Sequence, residues 1–172
     1  MREKDLMDDH DCMAQAIEEA RHALAIGEFP VGCVIVHQDR IIASGARSGT
    51  RSRRPNEIDH AEMAALRCLD AADADFSPED LVVYSTMEPC LMCFAALTLS
   101  RIGRVVYAYE DVMGGGTRCD FASLPPLYQA LKPRVTGGVM RAASVDLFQT
   151  FFADPANDYW KGSLLARYTA DQ

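Results

Sequence analysis

Two short strings constrain this chain more than anything else in it: His60-Ala61-Glu62 and Pro89-Cys90-Leu91-Met92-Cys93. The first offers an imidazole and a carboxylate, the second two thiols one helical turn apart behind a proline. Zinc takes nitrogen and sulfur ligands in a tetrahedron, and a catalytic zinc keeps three protein ligands and an open fourth corner. His60, Cys90 and Cys93 make three, which leaves Glu62 free for proton transfer. Any fold of this chain must then bring two distant segments to one point. Histidine-x-glutamate alone is a common accident, and a lone histidine is more often a surface or satisfied core residue. Apart from it, Cys90 and Cys93 would read as two small buried hydrophobes on a helix face. The proline-led cysteine pair is the rarer string, and the two together point to a zinc site with one ion per chain.

The surroundings agree with the joint reading. Leu81 to Ser85 is a short β-rich run, and Leu91 to Leu99 reads as a buried helix. Pro89 falls where that helix starts, at a position whose missing N–H costs nothing. Cys90 and Cys93 then lie one turn apart on one face, and a helix N-terminus favours the thiolates that zinc requires. His60 and Glu62 open another helix, Ala61 to Leu69, with Asp59 as the expected N-cap. The plainer alternative for Glu62 is a first-turn acid complementing the helix dipole.

At 172 residues and 49% hydrophobic content, the chain can bury one substantial core, and we read residues 1–172 as a single domain with 157–172 as a C-terminal helical tail. No run of eighteen apolar residues exists to span a membrane, and the charged N-terminal string is unlike a signal peptide. Six cysteines, two of them in a metal motif, suit a reducing cytoplasm better than a disulfide framework. Cys12, Cys33 and Cys68 sit in apolar-periodic segments and are expected in the core, while Cys119 follows a glycine-rich loop. The net charge of −8 gives no broad footprint for nucleic acid. Arg47, Arg51, Arg53 and Arg54 are a local exception: either a solvated loop or a phosphate- or carboxylate-recognising mouth to the site.

Along the chain, Met13, Ala16, Ile17, Ala20, Ala23 and Leu24 repeat at helical spacing up to Gly27. Val31 to His37 and Arg40 to Ala46 form a hairpin about Gln38-Asp39. The His60 helix, the Leu81 strand, the Cys90 helix and a strand over Val105 to Tyr109 follow. A short helix after Pro125-Pro126, a strand over Arg134 to Met140, and helices over Ala142 to Phe152 and Asn157 to Tyr168 complete the order. This alternation implies an α/β chain with a mixed sheet covered on both faces.

With these residues in view, the chain resembles the cytidine-deaminase superfamily of zinc nucleobase deaminases, whose signature is this same pairing, and is most similar to its tRNA adenosine deaminase branch. The strings that carry the resemblance, between about Met13 and Tyr109, are Phe29-Pro30-Val31-Gly32-Cys33-Val34-Ile35-Val36, His60-Ala61-Glu62, Glu88-Pro89-Cys90-Leu91-Met92-Cys93 and Ser100-Arg101-Ile102-Gly103-Arg104-Val105-Val106-Tyr107. The resemblance implies a three-layer α/β/α fold with a five-stranded mixed sheet. It also implies zinc on His60, Cys90 and Cys93, Glu62 as catalytic proton shuttle, substrate contacts from Ala61, Glu88 and Pro89, and a cytoplasmic homodimer. The implied reaction is hydrolytic release of ammonia from a nucleobase, with tRNA adenosine first. A free base, nucleoside or nucleotide is the alternative.

Two departures from the family pattern stand out. Where that branch and similar guanine deaminases place a base-holding asparagine at the end of the second strand, this chain has Arg47; Asn56 is nearby in a different register. Arginine offers donors only, so Arg47 at the pocket rim would favour a carbonyl, phosphate or carboxylate on the substrate, unless it merely points to solvent. The tail Asp158-Tyr159-Trp160-Lys161 also lacks the strongly basic end expected of a tRNA binder. Two readings outside catalysis are a structural zinc module completed by Cys119, and a non-catalytic partner subunit of a heterodimeric tRNA deaminase.

Overall fold

The computed structural model of the chain describes residues 7–71 and 76–172, so most of the charged N-terminal string lies outside the described residues. Helix α1 (Asp9–Ala25) starts at a capping box in which Asp8 and Asp11 each accept the other's backbone N–H, and it buries Cys12, Met13, Ala16, Ile17 and Ala20. Strands β1 (Gly32–His37) and β2 (Arg40–Ala46) form the expected hairpin. Gln38 and Asp39 both hold positive φ, 45° and 60°, the two-residue turn whose twist matches that of its strands.

Strand β3 (Val82–Met87) pairs antiparallel with β1 and parallel with β4 (Arg104–Tyr109), and β4 pairs parallel with β5 (Arg134–Gly137). Among the described residues, the sheet order is β2-β1-β3-β4-β5. Alternation along the strands divides the core. Val34, Val36, Tyr84 and Val106 meet α1 on one face; Cys33, Ile35, Val83 and Val105 meet α2 (Ala61–Asp70) and α3 (Leu91–Leu99) on the other. This is the three-layer arrangement with a five-stranded mixed sheet that the resemblance implied. After α4 (Pro126–Leu131) and β5, α5 (Arg141–Ala153) lies beside α1, and α6 (Leu164–Ala170) ends the chain.

One contact fixes where α2 begins. A Cβ on Gly45 would lie 2.5 Å from the Ala61 carbonyl oxygen and 2.6 Å from the Ala65 nitrogen. Only glycine lets the start of α2 press directly onto the β2 backbone, and that start carries His60 and Glu62.

Several expectations need correction. Cys68 is exposed, because the buried stripe of α2 runs through Ala61, Glu62, Ala65 and Leu69 and leaves it outside. His60, not Asp59, is the N-cap of α2; Asp59 instead accepts from Arg67 and Asn56. Pro89 precedes the Cys90 N-cap of α3 and so stands outside the helix. Strand β5 stops at Gly137, and Met140 takes a left-handed conformation at the start of α5. The tail is helical only over Leu164–Ala170; Asn157 to Gly162 is non-helical, with Trp160 and Gly162 at positive φ.

Candidate active site

His60 and Cys90 are the N-caps of α2 and α3, and neither side chain caps its own helix. Both are turned toward each other instead. His60 Nδ1 lies 3.5 Å from Cys90 Sγ and 3.5 Å from Cys93 Sγ. The three ligand atoms all fall within 4.8 Å of one another. A tetrahedral ion with Zn–S near 2.3 Å and Zn–N near 2.05 Å needs N···S edges of about 3.6 Å. The spacing is therefore that of three corners of a zinc tetrahedron, and the donor set fits the ion. Two helix N-termini also point at the cluster, and their positive ends favour the thiolates. Among the described residues no fourth histidine, cysteine or carboxylate joins the group. Cys119 packs against the hydrophobic core instead, which removes the structural-module reading's only candidate for a closed site.

Protonation follows from the crowding. The Cys93 thiol, its neighbour, holds the Cys90 thiol down at about 4, with His60 adding to the effect. Donating to Cys90, and burial, push Cys93 the other way. The two thiols are thus displaced in opposite directions by their closeness to each other. His60 is raised by its contact with Cys90.

Glu62 is 3% exposed and accepts a hydrogen bond from Ser85 Oγ at 3.1 Å. Burial raises its carboxyl above the usual range, the direction that suits a group taking and returning protons near neutrality. It lines a cavity of about 250 Å³ together with Ala61, His60 and Cys90, a volume scaled to a base more than to a large ligand. Phe29 and Val31, which precede β1, form part of the wall, and Asp111, Met113 and Gly114 another part.

The remaining candidate residues divide. Ala61, Arg47 and Glu88 line the cavity and Pro89 does not. Glu88 already accepts from the Asp111 N–H and from Thr117 Oγ, and so ties the loop after β4 to the cysteine loop. Arg47 follows β2 as expected, yet its side chain is 2% exposed. Its guanidinium donates to the carbonyls of Ser48 and Asp59, to Glu57 Oε2 and to Tyr159 Oη. The carbonyl and carboxylate that a donor-only fork prefers are thus supplied by the protein itself, so Arg47 does not point to solvent, and it lines the cavity with its Nη groups already engaged. Arg51 donates to the Ile26 carbonyl at the end of α1, while Arg53 and Arg54 are exposed.

The sequence reading missed Glu57, Asp111, Tyr159 and Trp160, all of which line the cavity. Tyr159 reaches the site because Phe29 packs edge-on against it at 5.2 Å and against Phe148 and Phe151 of α5. No local pattern marks a tail residue as part of a pocket a hundred residues upstream; the one available signal was two adjacent aromatics in an otherwise polar stretch.

The family described as cytidine and deoxycytidylate deaminase zinc-binding region matches residues 6–109, nearly the span over which the motifs were read. A tRNA-specific adenosine deaminase of Agrobacterium fabrum (strain C58) is 36% identical over 149 residues, covering 85% of this chain and 95% of that one. Its counterpart in Streptococcus pyogenes serotype M1 is 33% identical over 147 residues, covering 81% of each. A solved structure from work on A-to-I editing by tRNA:A34 deaminases superposes with a TM-score of 0.65 at 34% identity, covering 79% of this chain and 97% of the other. A guanine deaminase from Nitrosomonas europaea, at 23% identity and a TM-score of 0.65 over 86% and 87% of the two chains, shares the fold.

Proposed function

The chain belongs to the cytidine and deoxycytidylate deaminase zinc-binding family and is a zinc-dependent hydrolytic deaminase; on that premise we propose that it converts adenosine in tRNA to inosine, with His60, Cys90 and Cys93 as zinc ligands and Glu62 as proton shuttle. The observation that carries the chemistry is a buried carboxylate two residues from the imidazole ligand, lining the same cavity as His60 and Cys90 of the ligand cluster. The tRNA reading is supported by relatives of that activity that align over most of both chains.

Bound zinc supplies Lewis-acid activation of water at neutral pH. Glu62 accepts one proton from water and delivers it to a ring nitrogen of the base, then takes the second from the hydroxyl now on the ring carbon and passes it to the departing amine, so that water and adenosine leave as inosine and ammonia. Ser85 Oγ holds one oxygen of Glu62, whose side chain lines the cavity. Ala61 is the first residue of α2, and its backbone N–H has no partner within the helix to compete with a base. A retained Glu62 argues against the non-catalytic subunit, which has no use for a shuttle. The whole chain acts as one deaminase unit in a cytoplasmic homodimer. No helix among the described residues is long and apolar enough to cross a membrane.

Two observations favour a free base or nucleoside as a second reading. Tyr159, Trp160 and Leu165 wall the cavity from the tail, and the net charge of −8 repels a polyanion. The test is an ammonia-release screen with the purified zinc enzyme. It covers an adenosine-34 stem-loop, whose product is read as inosine by nuclease digestion, beside adenine, guanine, cytosine and their nucleosides and nucleotides. Turnover of the stem-loop that falls steeply with salt supports the tRNA reading; turnover of the small substrates alone replaces it.

A further inference from the structure

A neutral imidazole that binds a metal through Nδ1 carries its proton on Nε2, and that N–H needs an acceptor. In this protein the requirement is unmet in an unusual way. His60 Nε2 has no exposed surface and no hydrogen-bond partner, and among the described side chains it is the one buried polar atom left so. The acceptor that faces it is Glu57 Oε2, at 3.8 Å.

Glu57 does not reach that position by chance. Its side chain is 52% exposed and could extend into solvent at little cost. Instead Oε2 accepts from Arg47 Nη2 at 3.3 Å and from Tyr159 Oη at 2.9 Å. All three neighbours therefore converge on one oxygen. Arg47 is itself fixed by the Ser48 and Asp59 carbonyls, and Tyr159 by the aromatic cluster around Phe29. A carboxylate pinned from two sides beside an orphaned imidazole N–H is the layout of an outer-sphere partner, short of closure by about 1 Å relative to an ordinary hydrogen bond.

We propose that Glu57 is the positioning residue that orients His60 for zinc, and that Arg47 and the C-terminal Tyr159 hold it there. The juxtaposition gives Arg47, at the place where similar enzymes have a base-holding asparagine, a task facing the metal instead of the substrate. It also makes the tail part of the metal site. The inference rests on His60, Cys90 and Cys93 as the ligands.

The test measures zinc affinity by chelator competition on the purified full-length holoenzyme, together with the visible absorption of its cobalt-substituted form. Glu57→Ala should weaken zinc by about tenfold or more, within the 10–100-fold range that loss of such a partner produces. Glu57→Gln, which keeps an oxygen acceptor without the charge, should lose less, and Tyr159→Phe less again. The cobalt spectrum should shift in the Glu57 variants and stay unchanged in Arg53→Ala, a control on the same loop. Zinc affinities within about twofold of the parent for both Glu57 variants, with an unshifted cobalt spectrum, would overturn the proposal, even if thermal stability fell. Should Glu57→Ala fail to fold, Glu57→Gln decides by the same spectrum and affinity. Cys93→Ala reports on the premise separately: full zinc retention there would dismiss the ligand assignment itself.

Discussion

Glu62 and Glu110 are two partly or wholly buried glutamates whose carboxyls are displaced in opposite directions. Glu110, just after β4, accepts from Arg141 Nε and Nη2 and from Tyr168 Oη, and Arg141 holds its carboxyl down at about 2. The cluster closes on itself and ties α5 and α6 to the sheet. Glu62 accepts from Ser85 Oγ but has no cationic partner like Arg141 among the described residues, and burial raises its carboxyl. Beside it, His60 Nε2 has no hydrogen-bond partner. The contrast separates stabilisation from function: one carboxylate is committed to the fold, while the other is left open to the cavity, where water and substrate can meet it. Leaving a buried carboxyl without such a partner costs stability.

Removing the metal site should give the largest effect. Cys93→Ala is expected to abolish zinc binding and deamination together, read as zinc per chain and ammonia release. The fold should outlast the metal, because the two sheet faces carry full apolar cores. Chelated protein should therefore keep its far-ultraviolet circular dichroism, whereas collapse of that signal would point back to a structural zinc.

Glu62→Gln sharpens the contrast directly. Loss of the proton shuttle should lower kcat by about 10²–10⁴-fold with zinc content unchanged. The same substitution should raise the melting temperature at pH 7, because it removes a buried charge that burial disfavours. The sign follows from linkage. A folded carboxyl raised above its unfolded value penalises the ionised protein; the penalty is full above the raised value, shrinks as pH falls through it, and is gone below the ordinary 4.5. Near-normal turnover with zinc retained would remove Glu62 from the mechanism.

Arg47→Ala tests an intermediate case. Its guanidinium is buried, but its partner Glu57 is half exposed, so the pair should be worth about 1–3 kcal/mol, below the cost of a fully buried one. Thermal unfolding should show that loss. Unchanged stability with a large rise in KM would instead mean that Arg47 reads the substrate after all.

Much of this was legible in the sequence where local rules decide. The α3 bounds, Leu91–Leu99, follow from an unbroken apolar run behind Pro89, and the hairpin turn from Gln38-Asp39 between two β-rich runs. The ligand triad was legible because chemistry forces His60 and the two cysteines together whatever the path between them. The tail was not. Asn157 to Tyr168 has helical composition, yet docking Tyr159 among Phe29 and the α5 aromatics outweighs propensity and holds Trp160 at φ 55°. The partners of Arg47 were illegible for the same reason: Glu57 and Tyr159, which take its donors, come partly from the far end of the chain.

The smallest effect concerns Glu110, and it is the one that isolates the closed half of the comparison. Its folded value of about 2 lies below the ordinary 4.5. The contribution of the Arg141 pair is therefore fully present above about pH 4.5 and is lost as pH falls through 2. The side chains are 34% and 26% exposed, so solvent screening cuts the contribution to about 1 kcal/mol. Comparing the parent with Glu110→Gln by denaturant unfolding should give that difference at pH 7, shrinking steadily below pH 4.5. Because Glu110 lies outside the cavity lining, turnover at pH 7 should be the same in both proteins. A stability difference that stayed constant down to pH 2.5 would show that Arg141 packs over Tyr109, 5.3 Å from its ring centroid, without drawing on the charge of Glu110, and the two glutamates would then differ in burial alone.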